Sequence, residues 1–401
     1  MEKKKNDFIA QGSILAIASI LVRVMGMIYR IPMTAIIGDK GNGFYSYAYS
    51  VYTILLLLSS YSLPLAVSKM VSAKAQLGQW RNVKRVFICA IAFAIGIGTT
   101  FGLIVLIGAQ FFTRVFFHSE LAAIALRFMA PTILIMALLG VFRGFFQGLQ
   151  NTLPTAVSQI VEGLINAIMS VVFAYFLFDF GHGMDAAGGT TDLGYAWGAA
   201  GGAIGTGAGA LAGLIFCFIL FVAYRKILAV NISRDKTGTQ QEYGDIFRLM
   251  LSIALPVILS TALYNLIELV DGSLFNNIMA SKGMEDVKDS MWGAYNAKAL
   301  LLVHIPVSIS SAMAVSLVPT LTAAYALGDE QTAKSKVHAI LRFISILAFP
   351  SAVGLLVLAN PIIKTLFSGD TSAASTYLQV VCPAVITFSF STITNSILQG
   401  I

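Results

Sequence analysis

Ten apolar runs, each long enough to cross a lipid bilayer, leave this 401-residue chain almost no choice of solvent. They fall at about 8–37, 44–72, 86–111, 121–149, 153–178, 194–224, 247–279, 293–325, 339–360 and 373–401. A hydrocarbon core of ~30 Å takes about 20 residues of helix at 1.5 Å each. Period-two alternation is missing, and the runs far exceed the length of a barrel strand. Only 11% of the residues are charged and 57% are hydrophobic, against ~25% charged in soluble domains. The fold class that follows is an all-α polytopic membrane protein with about ten transmembrane helices.

The runs are duplicated at an offset of about 250 residues. Gly43-Phe44-Tyr45 through Leu77-Gly78 recurs as Gly293-Ala294-Tyr295 through Leu327-Gly328, and each copy holds Ala-Val-Ser, at 66–68 and 314–316. Pro131 precedes Gln147-Gly148 by sixteen residues, as Pro383 precedes Gln399-Gly400. Duplication of an apolar chain marks many transporter folds, in which the solute lies between the repeats. The expected organisation is a first bundle over 1–226, a cytoplasmic linker over 227–246 and a second bundle over 247–401. About 75 residues follow Gln147-Gly148 before the basic linker, whereas one follows Gln399-Gly400. The second bundle is therefore expected to stop after about four helices, and the chain to be a fragment.

Cys89, Cys217 and Cys382 lie inside apolar runs, far apart, and read as small buried hydrophobes with neither disulfide nor metal spacing. With the N-terminus in the cytoplasm, the inner segments hold fifteen Lys and Arg residues. The outer segments hold five: Lys40, Arg114, Lys282, Lys288 and Lys364. This is the positive-inside bias of a multi-pass cytoplasmic-membrane protein. The net charge of +7 thus reflects topology and contact with anionic membrane lipids, not a nucleic-acid footprint. Met1 to Ile20 lacks a small-x-small cleavage site and reads as an uncleaved first helix. Gly181 to Asp192 reads as an exposed outer loop.

Apart from Arg248 and Arg342, counted with the inner segments at the ends of their runs, nine charged residues lie inside the runs: Arg23, Arg30, Lys69, Arg127, Arg143, Lys298, Glu162, Glu268 and Asp271. Each costs ~2.5–3.5 kcal/mol at a helix centre, so each needs a cavity or a partner. Near a span end, snorkelling to the interface serves instead, which suits Lys69 and Arg127. Arg23 and Arg30 are two turns apart, on one face and ~10 Å apart along the axis. Two stacked guanidinium groups suit an extended anion such as a diphosphate; ion pairs to acids on another helix are the structural alternative. Arg143 and Glu162 flank a short turn at 150–154, and both sit ~13–15 Å deep from the same membrane face. Opposite charges at one depth in a hairpin are expected to pair, with solute contact as their second possible use.

Gly201, Gly205, Gly209 and Gly213 form an i, i+4 stripe for close helix packing. No Gly-Lys-Ser/Thr phosphate loop, nucleophile elbow, carboxylate pair or metal-ligand spacing occurs. A transporter is expected, not an enzyme.

Phe142-Arg-Gly-Phe-Phe-Gln-Gly-Leu149, followed by Pro154-Thr-Ala-Val-Ser-Gln-Ile-Val-Glu162, resembles the oligosaccharide-flippase family of polysaccharide biosynthesis proteins. Within that family the likeness is to the branch of stage V sporulation protein B and the Gram-positive lipid II flippases. Gly293-Ala-Tyr-Asn-Ala-Lys298, His304-Ile-Pro306, Ser316-Leu-Val-Pro319 and the segment from Gly198 to Gly213 carry it further along the chain. The superfamily also contains the multidrug and toxic compound extrusion antiporters.

The resemblance implies two pseudo-symmetric six-helix bundles around a central cavity. It implies first-helix arginines in that cavity, within a pattern that Arg23-Val-Met-Gly26 matches; Arg30 stands one position off. It implies a further arginine shortly before the eighth-helix proline. Here Leu301 and Leu302 stand in that neighbourhood before Pro306, and Lys298 is the nearest substitute. It also suggests Na+ at Asp271, or H+, as the coupling ion, with no other cofactor. The expected substrate is a polyprenyl-diphosphate-linked saccharide bound by Arg23, Arg30, Lys298, Arg143 and Glu162, and carried by a monomer in contact with membrane lipid. The alternative is a cation or drug antiporter of the same architecture, whose cavity should be acidic or aromatic. A membrane glycosyltransferase would need a catalytic carboxylate cluster, which the short outer loops lack.

Overall fold

Inside a bilayer the backbone must satisfy its own hydrogen bonds, and each of the ten expected runs is helical. The computed structural model describes residues 2–60, 62–188, 192–326, 328–369 and 371–400. Helix α1 (Glu2–Ser60) takes in the first expected run and most of the second, bending at Gly38, whose φ of 62° suits glycine. Helices α2 (Leu63–Gln76), α3 (Trp80–Phe117), α4 (Ala122–Gly148), α5 (Leu153–Gly188), α6 (Leu193–Ser233) and α7 (Tyr243–Ser281) follow. The second copy is more broken. It comprises α8 (Glu285–Ala294), a π-helical turn (Tyr295–Leu300), α9 (Leu301–Ala326), α10 (Glu330–Val357), α11 (Ala359–Leu366), α12 (Ser372–Val381) and α13 (Ala384–Gly400). Among the described residues six helices are long and apolar enough to span a membrane, and the α12–α13 pair, bent by 44°, makes a seventh.

Two compact units arise, one from residues 1–15 and 44–289, the other from 16–43 and 290–401. The duplication divides the chain by sequence and the packing divides it by contact, at different places. In the first unit Phe87 stacks on Phe221 at 4.5 Å, with Phe142 and Phe145 edge-on or tilted around them. The α6 glycine stripe lies along α5: a Cβ at Gly209 would stand 2.6 Å from the Glu162 carbonyl oxygen, and one at Gly205 would collide with Ser170. Gly144 and Gly148 do the same for α4 against α2, where Cβ atoms would meet the Pro64 carbonyl oxygen at 2.6 Å and Val71 at 2.7 Å. Part of the Phe142–Leu149 motif therefore serves helix contact. In the second unit Val303, Leu321, Ile344, Ile363, Leu378 and Ile393 form the core, and Met27 and Ile31 of α1 pack onto it.

Two sequence expectations need correction. The segment from Gly181 to Asp192 is mostly exposed, as expected, but as far as Gly188 it is helix and not loop, because α5 runs through it; residues 189–191 lie outside the described residues. Buried Asp185 stabilises the next helix, accepting hydrogen bonds from the Leu193 and Gly194 amides at 3.0 and 2.9 Å, where a carboxylate satisfies free N–H groups. The linker is also shorter than 227–246. Ile227, Leu228 and Val230 carry α6 on to Ser233, and only 234–242 separates it from α7. That connector is fastened to the start of α3. Asp235 accepts from the Arg81 amide at 2.9 Å, Asn82 bonds Thr239 and Gln241, and Arg85 donates to the Gln241 carbonyl at 2.6 Å.

Candidate functional site

In the first unit, Arg143 on α4 donates through Nη2 to Glu162 Oε2 at 2.7 Å and through Nε to Ser158 Oγ at 2.9 Å. Ser158 and Glu162 are one turn apart on α5, so the guanidinium fork grips two successive turns of the facing helix. The expected pair is present, and its side chains are only 11% and 25% exposed. Beside it runs an aromatic ladder on α1: Tyr45 stacks on Tyr49 at 5.8 Å, and Tyr49 meets Tyr52 at 5.9 Å. Tyr45 shares a hydrogen bond with Thr206 at 3.3 Å, and buried Tyr52 lies within electrostatic reach of Glu162. The ladder was readable as a tyrosine repeat at i, i+4 and i+7. Ser50, on the same helix, donates to Glu268 at 3.4 Å.

A second cluster in this unit was not foreseen. Lys288, assigned from the sequence to an outer segment, is buried and bonds Asp289 at 2.7 Å and the Phe117 carbonyl at 3.2 Å. Tyr47, fully buried, donates to Asn276 Oδ1 at 3.1 Å and stacks on Phe117 at 4.7 Å. Composition marks a lysine as polar but does not tell which carbonyl at a helix end will receive it.

In the second unit, Arg23 is exposed and Arg30 half-buried. Met27 and Ile31 between and beside them anchor this stretch of α1 to the core. Both arginines act electrostatically on His304 of α9, Arg30 the more strongly. Lys298 sits in the π-helical turn, 1% exposed, and its ammonium meets Asp39 Oδ1 and Oδ2 at 2.8 and 2.9 Å. Sequence reasoning had no candidate partner for Lys298, because Asp39 lies 259 residues away, outside the apolar runs. Just before the π-turn, at the end of α8, a second close contact occurs, since a Cβ at Gly293 would collide with the Asp39 carbonyl oxygen. Such turns often mark functional positions.

Asp271 is exposed on α7, and among the described residues no group of three His, Cys, Asp or Glu side chains gathers anywhere in the chain. Lys69 and Arg127 are exposed.

A profile of the family described as polysaccharide biosynthesis protein matches residues 8–324, and a second profile with that description matches 286–374. The chain belongs to the polysaccharide biosynthesis protein family. The lipid II flippase MurJ of Bacillus subtilis (strain 168) is 27% identical over 97% of the chain and 72% of its own length. Stage V sporulation protein B of the same organism is 23% identical over 99% of the chain and 73% of its length. The fold matches an inward-facing multidrug resistance MATE family transporter of the MOP superfamily, with a TM-score of 0.71. That match is 14% identical in sequence and covers 95% of this chain and 84% of the transporter. The chain is thus a multi-pass helical membrane protein with the fold of MOP-superfamily transporters, and one of these relatives is a lipid II flippase.

Proposed function

We propose that the chain flips a polyprenyl-diphosphate-linked saccharide across the cytoplasmic membrane by alternating access. The observation that carries this reading is the Arg23–Arg30 face of α1. Two permanently charged guanidinium groups stand two turns apart there, one exposed and one half-buried, on a helix anchored by Met27 and Ile31. Planar N–H forks at that spacing match the oxygens of a diphosphate, and they repel an organic cation. The lipid II flippase relative, aligned over nearly the whole chain, supports the same substrate class. The head enters from the inner leaflet while the lipid tail stays in the bilayer, with the N-terminus cytoplasmic and the protein working as a monomer. Lys298, Arg143 and Glu162 are further proposed contacts for the head, Lys298 held by Asp39 in its own unit and Arg143 by Glu162 in the other, and Na+ at Asp271 or H+ drives the cycle.

The multidrug or cation antiporter reading draws on the fold match alone. One experiment separates the two. The protein is reconstituted in liposomes and assayed with a fluorescent lipid-linked saccharide and, in parallel, an organic cation. Flipping should be lost in Arg23→Ala and partly kept in Arg23→Lys, which retains the charge but not the fork. Cation transport without flipping, or flipping that ignores Arg23→Ala, refutes the assignment.

A further inference from the structure

The first unit holds a chain of polar contacts linking three of its helices. Tyr45 of α1 meets Thr206 of α6 at 3.3 Å, and Thr206 donates to the Gly202 carbonyl at 3.2 Å. Ser170 of α5 lies 3.3 Å from the same carbonyl and donates to Asn166 Oδ1 at 2.8 Å. The glycine stripe sets the register along α5: Gly205 meets Ser170, Gly209 meets Asn166 and Gly213 meets Glu162. Beyond its bend, α1 runs in the same direction as α6. Tyr47 and Ser50 donate to Asn276 and Glu268, so this stretch is antiparallel to α7, which the short 234–242 connector turns back from α6. Tyr52, seven residues beyond Tyr45, therefore stands level with Gly213, seven beyond Thr206, and with Glu162. The polar chain does not close on itself. Among the described residues Arg143 Nη1 and Glu162 Oε1 have no hydrogen-bond partner. The hydroxyl of Thr53, one turn beyond Tyr49, is buried without one. Tyr49, Asn166, Glu162 and Thr206 are only half-buried. Hydrogen-bonding capacity left open at charged groups inside membrane spans marks a place for a solute.

We propose that the Tyr49 face of α1, Asn166 and the open edge of the Arg143–Glu162 pair form a subsite for an uncharged sugar ring. This rests on the flippase reading and names the part of the lipid-linked substrate that the first unit holds. Arg143 and Glu162 cancel in charge, so the pair offers hydrogen bonds and not a field for an anion or an organic cation. Glu268, bonded to Ser50, lies about 100° round α1 from Tyr49. A sugar hydroxyl both donates and accepts, so two neighbouring hydroxyls can accept from Arg143 Nη1 and donate to Glu162 Oε1. The Asn166 amide nitrogen adds a donor one turn along α5. The C–H face of a sugar packs on a tyrosine ring, whose apolar body carries a polar tip. Aromatic surface beside a few placed polar groups is what orients a small polar ligand.

The test compares the purified chain's affinity for a polyprenyl-diphosphate-linked disaccharide with its affinity for bare polyprenyl diphosphate. Wild type should bind the glycosylated lipid about tenfold tighter, the scale of one or two net hydrogen bonds. Tyr49→Leu and Asn166→Leu should each remove most of that preference, with the loss confined to the glycosylated lipid. A second arm needs no substitution: a diazirine on the sugar is photolysed on wild type, and the adducts should fall within 45–53 of α1 or 158–170 of α5. A preference that survives both substitutions, or adducts confined to other segments, overturns the proposal. An equal loss for both lipids overturns it as well, since the two side chains then serve only the fold. If bare polyprenyl diphosphate binds better than uncharged polyprenol but the sugar adds nothing, the subsite falls and the flippase reading stands. If neither diphosphate lipid binds better than polyprenol, both fall.

Discussion

Neutralising Glu162 is the sharpest probe of the first unit. In Glu162→Gln the Arg143 guanidinium, 11% exposed, keeps its bond to Ser158 but loses its counter-charge. Removing one partner of a buried ion pair costs ~3–5 kcal/mol. The quarter exposure of Glu162 and the surviving Ser158 bond put the expected loss at the low end, about 3 kcal/mol. Arg143→Gln should cost a similar amount for the reciprocal reason. The charge swap Arg143→Glu with Glu162→Arg restores opposite charges at one depth, and Ser158 can donate to a carboxylate as readily as it accepts from a guanidinium. The assay is the midpoint of thermal inactivation in detergent, read as the monodisperse fraction surviving a temperature series. The single variants should fall well below wild type and the double variant should stand above either. Coupling within the cycle should exceed ~1 kcal/mol, as expected for residues in direct contact. Simple additivity in the double variant would refute the reasoning. Should the single variants retain wild-type stability but lose transport, the pair serves the solute rather than the frame.

The α5–α6 contact should be as sensitive to volume as the pair is to charge. Gly205→Ala would push a methyl into Ser170, costing ~1–3 kcal/mol by overpacking, whereas Gly96→Ala, with open space around it, should be neutral or stabilising in the same thermal assay. Asp39→Asn should destabilise the protein by stranding the Lys298 ammonium, and adding Lys298→Met should recover most of the loss, since an apolar isostere can replace a buried pair; failure of that rescue would mean that Lys298 has a further partner. The connector supplies a pH prediction. Asp235 is held below its ordinary value of 3.8, first by the Arg81 amide and then by the Thr237 hydroxyl. A depressed carboxyl stabilises the fold above that value and ceases to do so as pH falls through its lower folded value. Hydrogen exchange in residues 234–242 should therefore stay slow down to pH 3.8 and rise only below it, and Asp235→Asn should show the fast exchange already at neutral pH.

Hydropathy reads the solvent, and in a membrane the solvent dictates helices, so the ten runs and their helical state were legible from composition. The glycine stripe was legible because close approach demands a missing side chain and leaves a four-residue period. Arg143 and Glu162 were legible because the hairpin turn between them fixes their relative depth. What stayed hidden depends on contacts made across long stretches of chain. Asp39 lies outside the apolar runs, and nothing local marks it as the partner of Lys298. Lys288 reads as a loop cation until the Phe117 carbonyl at the end of α3 is brought to it. Asp185, counted as a loop acid, caps a helix that begins eight residues later.

The π-helical turn bears on how the two copies are to be aligned. From Tyr45 to Ala66 the first copy spends 21 residues, and from Tyr295 to Ala314 the second spends 19. The first copy has its irregularity at the break between α1 and α2, the second in the π-turn before α9. Insertions and deletions have thus been absorbed within membrane-spanning segments, and not only in loops. Each residue of slippage turns a helix face by ~100°. An alignment of the copies that forbids gaps inside helices would pair a core-facing residue with a lipid-facing one. Equivalent positions, including any meant for symmetric mutagenesis, are better chosen by the helix face they occupy than by a fixed offset in the chain.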